Sequence, residues 1–397
     1  MQRRQFLGAV AFATSLWATS FIWGAIPASA ADQRGVTDTE IVIGTITDLS
    51  GVTAVQGVNN SDAIRMAFDE ANAKGGVHGR KIKYIVEDNQ YTVPRSVQAM
   101  NKLLNNDNIF LALSDGGTPM NDANMPAEFE KGVPNVLPLT AARSMYEPYN
   151  KLKFAQYASY YDQMRAAVKY FAEQRGRKKF CVMYQDSDFG KDVLAGVVAQ
   201  TKAMGMEVAG TTAHRPTDTD FNAPVQKLKD AGCDAIMLGT IVRDTNIIIQ
   251  TARKMGWDVD LVGQFAAYDT AVASLPGGAT EGTFCMTPAL YAYPDDPRPE
   301  VQDFAKRYQA RYGRPPNFHG EVGYTAASLV LLALDRAGRD LTTDGFIKGM
   351  ESIHEYKDIF GSVLSFGPEQ HHASTSSFLT VVKNGRWVPV VETALSY

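Results

Sequence analysis

From residue 41 to about residue 290 the chain alternates two patterns. Short uninterrupted apolar runs are followed by longer stretches in which apolar residues recur every three or four positions. "IVIGTIT", "KIKYIVED", "IFLALS" and "VPNVLPL" have the first pattern and read as strands buried on both faces. "NNSDAIRMAFDEANAKGG" has the second: Ile64, Ala67, Phe68 and Ala71 share one helical face, and Gly75-Gly76 ends the helix. "PRSVQAMNKLLNN", opened by Pro94, and "PMNDANMPAEFEKG", which carries Pro126, are the next helices. A second series repeats the rhythm, with "FCVMYQD", "MEVAGTTA", "DAIMLGT" and "DLVGQF" as strands between amphipathic helices. Units of this length imply parallel sheets covered by helices, so two α/β lobes of similar topology are expected. Proline-rich "YAYPDDPRPE" breaks the series, and two long helices follow, "VQDFAKRYQARYG" and "EVGYTAASLVLLALDRAG". The chain ends on short β-like runs joined by an Asn384-Gly385 hairpin turn.

The N-terminus departs from this rhythm. "MQRRQFL" is positively charged, "GAVAFATSLWATSFIWGAI" is apolar, and "PASA" sets Ala28 and Ala30 at the spacing signal peptidase accepts. Residues 1–30 therefore read as a signal peptide. Arg3, Arg4, Phe6 and Leu7 fit a twin-arginine pattern. The alternative, a membrane anchor, suffers from a run near the lower limit of spanning length and from the well-formed cleavage site. The mature chain is expected to begin near Ala31 and to be soluble in the periplasm.

Length and composition narrow the function classes. The 397 residues suggest two or three domains, and the net charge of −4 gives no reason to expect nucleic acid or an anionic membrane as partner. Cys181, Cys233 and Cys285 form no disulfide framework and read as small buried hydrophobes. His371-His372 reads as an unliganded pair in a polar loop, and no Cys/His spacing suits a metal. No cofactor is implied. The chain has no G-x-x-x-x-G-K-[ST], no G-x-G-x-x-G after its first strand and no G-x-S-x-G, so an enzyme is not expected.

One stretch carries candidate chemistry. "LALSDGGTPMND", residues 111–122, runs from an apolar strand through an Asp-Gly-Gly turn to Thr118-Pro119, which reads as a helix cap and first position. Such a turn points backbone N–H groups at an anion. Taken alone, it leaves open whether the anion is a phosphate, a carboxylate or nothing.

"IVIGTITDLSGVTAVQG…AFDEANAKGGVHGRKIKYIVEDNQ" closely resembles the opening of periplasmic leucine/isoleucine/valine-type substrate-binding proteins. "YQDSDFGKDV", "TDTDFNAPVQKLKDAGCDAIML" and "GYTAASLVLLAL" extend the likeness over nearly the whole mature chain. The resemblance implies an α/β fold of two doubly wound parallel-sheet lobes joined by a three-strand hinge, the type I periplasmic binding architecture. Crossings are expected near 151–157, 288–294 and 370–377. Lobe I would combine 32–153 with 290–371, and lobe II 154–289 with 372–397. The function implied is extracytoplasmic solute binding for an ABC importer, by a monomer that hands its ligand to a membrane permease. A free periplasmic sensor of the same fold is the alternative.

The resemblance also implies where a ligand sits. Asp115, Gly116, Gly117 and Thr118, with Leu139, Thr140 and Ala141, match the segments that grip a ligand carboxylate. Phe189, Ile241, Arg243, Gln264 and Phe265 fall at strand ends of the second lobe, and Tyr157, Tyr291 and Tyr293 at crossings. Amino-acid-binding relatives place an acidic residue where "VGQFA" stands. Gln264 and Phe265 in its place weaken an amino-acid reading, although Asp115 or Asp269 remain as partners for an ammonium. The favoured ligand is a benzoate- or cinnamate-like acid, with a branched-chain amino acid as the other option.

Overall fold

β1 (Glu40–Thr47) is buried along almost its whole length because both of its edges are paired. β2 (Lys81–Asp88) pairs with it on one side in the register Ile43 to Tyr84, and β3 (Leu111–Leu113) on the other. With β4 (Asn135–Val136) and β5 (Lys153–Phe154) they make an all-parallel sheet of order β2-β1-β3-β4-β5. The connections are the helices α1 (Ala54–Ala73), α2 (Val93–Asn105) and α3 (Thr118–Glu130), and α3 continues through Pro126. The computed structural model describes Met1 and residues 33–397, so the expected signal peptide lies outside the described residues.

The chain then builds a second sheet. α4 (Tyr160–Arg175) leads to β6 (Phe180–Gln185), α5 (Asp188–Ala203) and β7 (Gly210–His214). α6 (Asn222–Asp230), β8 (Ala235–Gly239), α7 (Val242–Lys254) and β9 (Asp260–Gly263) follow. The short α8 (Thr270–Ala273) precedes β10 (Phe284–Thr287). α9 (Pro299–Tyr312) and α10 (Phe318–Ala337) return to the first lobe, where α10 packs along α1. After α11 (Thr343–Glu351) come the small antiparallel pair β11 (Tyr356–Lys357) and β12 (Val363–Leu364). β13 (Phe378–Lys383) and β14 (Arg386–Pro389) complete a seven-stranded sheet of order β14-β13-β10-β9-β8-β6-β7. Asn384 and Gly385, at φ of 53° and 73°, make the hairpin turn read from the sequence. Two α/β lobes with parallel sheets are thus present, the second carrying an antiparallel edge.

Two expectations are corrected here. Cys181 and Cys233 are bonded to each other (S–S 1.93 Å, Cα–Cα 5.8 Å), and Cys285 is the buried free thiol. β6 and β8 are neighbours, so the turn before β8 brings Cys233 beside Cys181, a pairing 52 residues apart in sequence that spacing alone does not reveal. His371 and His372 do not sit in a polar loop. They are buried where the first and third passages between the sheets lie side by side: Ala155 N–H donates to the His371 carbonyl (2.8 Å) and Ala373 N–H to the Ala155 carbonyl (2.9 Å). His371 stacks on Phe154 at 3.9 Å, and His372 stacks on Tyr146 at 4.1 Å while its Nε2–H donates to the Tyr157 carbonyl (2.6 Å). Burial holds the His372 pKa below its ordinary value, with the bond to Tyr157 opposing the shift.

Candidate functional site

The carboxyl ends of both sheets' strands face one another across a cleft. In the first lobe Asp48 shapes the approach to α1. Its Oδ1 accepts from the N–H groups of Ser50 and Gly51 and its Oδ2 from the N–H and hydroxyl of Thr53. Gly57 lets α1 pass close over this turn, since a Cβ there would lie 2.1 Å from the Asp48 carbonyl oxygen. Thr47, Thr53 and Gln56 consequently reach the cleft wall.

At the end of β3, Gly116 packs so closely on Thr47 that a Cβ would stand 2.6 Å from its hydroxyl. Gly117, at φ of 92°, is the residue that caps α3, in a conformation L side chains rarely adopt. Thr118 is the first helical residue and makes no cap. Its hydroxyl instead lies 2.7 Å from that of Thr140, which lies 3.4 Å from the Tyr160 hydroxyl. The N–H groups of Thr118 and Thr140 have no acceptor among the described residues, as expected for the first turn of a helix and the irregular segment after β4.

The second lobe supplies the facing wall. Phe189 sits at the start of α5 and meets Tyr160 edge-on at 4.9 Å. Ile241 precedes α7, and Phe265 opens the short 3₁₀ turn after β9, its N–H donating to Gln163 Oε1 (3.0 Å). The phenyl ring of Phe265 lies among Phe318, His319 and Tyr160.

The structure brings together Gly116, Gly117, Thr118, Leu139, Thr140, Phe189, Ile241 and Phe265 around a small cavity, with Thr47, Thr53, Gln56, Gly57, Tyr91, Tyr160, Ala266 and His319 completing it. Its free space, about 30 Å³, is comparable to two or three waters. Six expected residues stand elsewhere. Asp115 lies beneath the turn with one oxygen on the Ile46 N–H (2.8 Å) and the other unpartnered. Burial pushes its pKa up to about 8, against the Ile46 bond, and its side chain lies outside the cleft wall. Ala141 is buried behind the wall, its carbonyl accepting from Tyr160 N–H. Gln264 is fully buried, bonded to the Thr240 carbonyl (2.9 Å) and the Ala266 N–H (2.7 Å), because it braces the turn that presents Phe265. Arg243 is pinned away from the cleft by Asp244 and the Pro216 carbonyl. Tyr157 and Tyr291 line a different cavity, together with Tyr293.

Asp269 is also engaged. It accepts from Ala271 N–H, Asn317 Nδ2 (2.7 Å) and His319 Nδ1 (3.1 Å). Gln56 Nε2 lies 3.2 Å from His319 Nε2 and 2.7 Å from the Ala266 carbonyl. An amide nitrogen only donates, so His319 Nε2 accepts and Nδ1 carries the proton towards Asp269, leaving the ring neutral. The cleft wall therefore contains no Asp, Glu, Lys or Arg side chain. The lobes are in contact over it through Gln56 and Ala266, Tyr91 Oη and Gln185 Oε1 (3.2 Å), and the ion pair of Arg143 with Asp192 (2.7 Å). Among the described residues no group of three or more His, Cys, Asp or Glu side chains is placed to hold a metal ion, and no helix is long and apolar enough to cross a membrane.

Some of the added residues had a signal in the chain. Gly57 is the second glycine of "LSG…G", and Tyr91 directly follows "EDNQ" at a strand end. His319 comes from α10, far along the chain, and nothing in its neighbourhood marks it.

The periplasmic binding protein family matches residues 40–386. The chain belongs to that family. Its architecture is the type I form. This binding protein is 23% identical to the leucine-, isoleucine-, valine-, threonine-, and alanine-binding protein of Pseudomonas aeruginosa, over 73% of the chain and 76% of that protein. It is 25% identical to Leu/Ile/Val-binding protein homolog 7 of Brucella suis, over 81% of each. Among solved structures, the fatty acid ABC transporter substrate-binding protein from Thermomonospora curvata superposes with a TM-score of 0.83 at 25% identity, covering 93% of this chain and 96% of that one. The family is that of the periplasmic binding proteins of ABC-type transporters, and the homologues are solute-binding proteins.

Proposed function

We propose that this binding protein captures a small carboxylate that carries no ammonium group, an aromatic acid of the benzoate or cinnamate kind being favoured. The observation behind this reading is the uncharged cleft wall. A buried ammonium with no carboxylate partner costs several kcal/mol; of the two candidates, Asp115 lies beneath the turn, off the cleft wall, and Asp269 is fully engaged. A carboxylate needs only donors, and the Thr118 hydroxyl, the free N–H groups of Thr118 and Thr140 and the N-terminus of α3 supply them. Tyr160, Phe189 and Phe265 offer ring faces and edges to the apolar part. The relative named for fatty acid transport, whose cargo is also a carboxylate without an ammonium, supports the same choice.

Capture proceeds by closure. The lobe of residues 32–153 and 290–371 docks the acid on the α3 turn, and the lobe of 154–289 and 372–397 folds over the apolar part. The side chains that now fill the cavity part to admit it. The closed monomer is the form that a membrane permease of the ABC importer recognises. A thermal-shift screen with benzoate, cinnamate, an aliphatic acid, leucine and valine tests the reading. Stabilisation by the aromatic acids is expected; stabilisation by leucine and valine alone would sink it.

A further inference from the structure

A cavity far larger than the space in the cleft lies elsewhere in the molecule. It measures about 910 Å³ and is walled by both lobes, by residues 296–298 and 360–364 on one side and 383–389 on the other. Its floor is the second and third passages between the sheets, residues 288–291 and 374–376. No residue lines both this cavity and the cleft, and a layer of rings separates them. Phe265 on the cleft side contacts Tyr157 on the cavity side at 6.0 Å, and Phe318 bridges Phe265 (5.9 Å) and Tyr268 (4.8 Å).

The chemistry of the walls is specific. The hydroxyls of Tyr268 and Tyr293 accept from the Tyr291 and Trp387 N–H groups and that of Tyr291 donates to the Pro316 carbonyl, which fixes the three rings as wall surface. Val363, half-exposed at 50%, continues the apolar surface to the rim. Arg298 and Arg386 are neutralised by Asp296 and Asp295, whereas Lys383 at the mouth forms no ion pair among the described residues. A volume of this size with aromatic walls and one unneutralised cation suits an apolar body bearing a single acidic group.

We propose that this cavity is a second binding site, for an amphipathic anion, and that its occupancy holds the cleft closed. The interlobe passages line this cavity and not the cleft, and the two spaces share no lining residue, so a hinge motion about the passages that parts Gln56 from Ala266 would bring residues 360–364 towards 386–388. An occupant resists that approach. The binding itself stands apart from the cleft assignment; the coupling rests on it.

The probe for the test is 8-anilinonaphthalene-1-sulfonate, an aromatic anion. Outside residues 1–30 the only tryptophans are Trp257 and Trp387, and Trp387 lines the cavity. In Trp257→Phe protein without its leader, the probe should quench Trp387 emission saturably at one molecule per chain. Ser376→Phe, which puts a ring into the floor of the cavity, should weaken the effect. Lys383→Glu, a change at an exposed position, should weaken it about tenfold. The Thr118→Ala/Thr140→Ala protein should bind the probe as its parent does. Absence of saturable quenching, indifference to both cavity variants, or loss in the Thr118/Thr140 protein would each overturn the proposal. Saturating probe should also tighten binding of whichever compound the thermal-shift screen selects, by the same factor that the compound tightens the probe. Unchanged affinity would overturn the coupling, and selection of leucine rather than an aromatic acid would count against the cleft assignment alone.

Discussion

The hydroxyl chain of Thr118, Thr140 and Tyr160 makes an unequal prediction for its members. Three hydroxyls joined by two hydrogen bonds retain one proton to donate outwards, and Thr118 stands at the end beside the N-terminus of α3. In the structure Thr140 donates to Tyr160 (3.4 Å); with a carboxylate docked beside Thr118 the bonds reverse, so that Tyr160 donates to Thr140, Thr140 to Thr118, and Thr118 to the acid. Thr118→Ala removes the hydrogen bond to the charged group, worth about 1.5–3 kcal/mol, or roughly a 10- to 150-fold loss of affinity. Thr140→Ala leaves Thr118 able to donate and removes only the polarisation along the chain, some 10–30% of that bond, so the expected loss is below about fivefold. The double variant should therefore bind about as weakly as Thr118→Ala alone. Titration calorimetry with benzoate, or with the acid that the screen ranks first, reads all four proteins at one pH. Equal losses in the two single variants that add in the double one would refute the relay, and unchanged affinity throughout would refute the carboxylate site.

Further consequences concern stability and release. Reducing the Cys181–Cys233 bond removes a closure over 52 residues, worth up to about 4 kcal/mol in the chain-entropy account, so the melting temperature should fall in reductant and not in its absence. Asp115 keeps a proton in the folded protein up to about pH 8 that the unfolded chain releases near pH 4, so its contribution to stability falls as pH rises between these values. Asp115→Asn should flatten the decline between pH 5 and 8 by up to about 1.4 kcal/mol per pH unit in denaturant titrations, and an unchanged slope would contradict the buried neutral acid. Tyr91→Phe deletes the Oη bond to Gln185 that spans the lobes. Ligand dissociation in stopped flow should quicken roughly two- to tenfold with little change in association.

Much of the fold was legible because its elements are long and strongly patterned. The buried runs of β1, β6 and β8 and the periodic faces of α1 and α2 leave few alternatives, and glycines at helix ends mark the boundaries. The cleft was legible on the side where chemistry is local. Gly116, Gly117 and Thr118 lie in one turn, and strand ends point to Phe189 and Phe265. What failed was side-chain direction. Arg243 and Gln264 stand at strand ends, yet each finds buried acceptors close by and turns to them. Asp115 occupies the turn but is drawn under it by the Ile46 N–H. His319 and the Cys181–Cys233 bond depend on meetings between distant segments, which no local pattern encodes.

The backbone bonds of Ala155 to His371 and Ala373 bear on how many ways the lobes can move. Two passages laced together as parallel strands resist sliding and splaying against each other, and the stacked pairs of His371 on Phe154 and His372 on Tyr146 stiffen the lacing further. Three independent tethers would allow the lobes to bend, twist and shear. Lacing two of them leaves rotation about one axis as the soft degree of freedom, so the closure proposed for capture would be travel along a single coordinate between two end states.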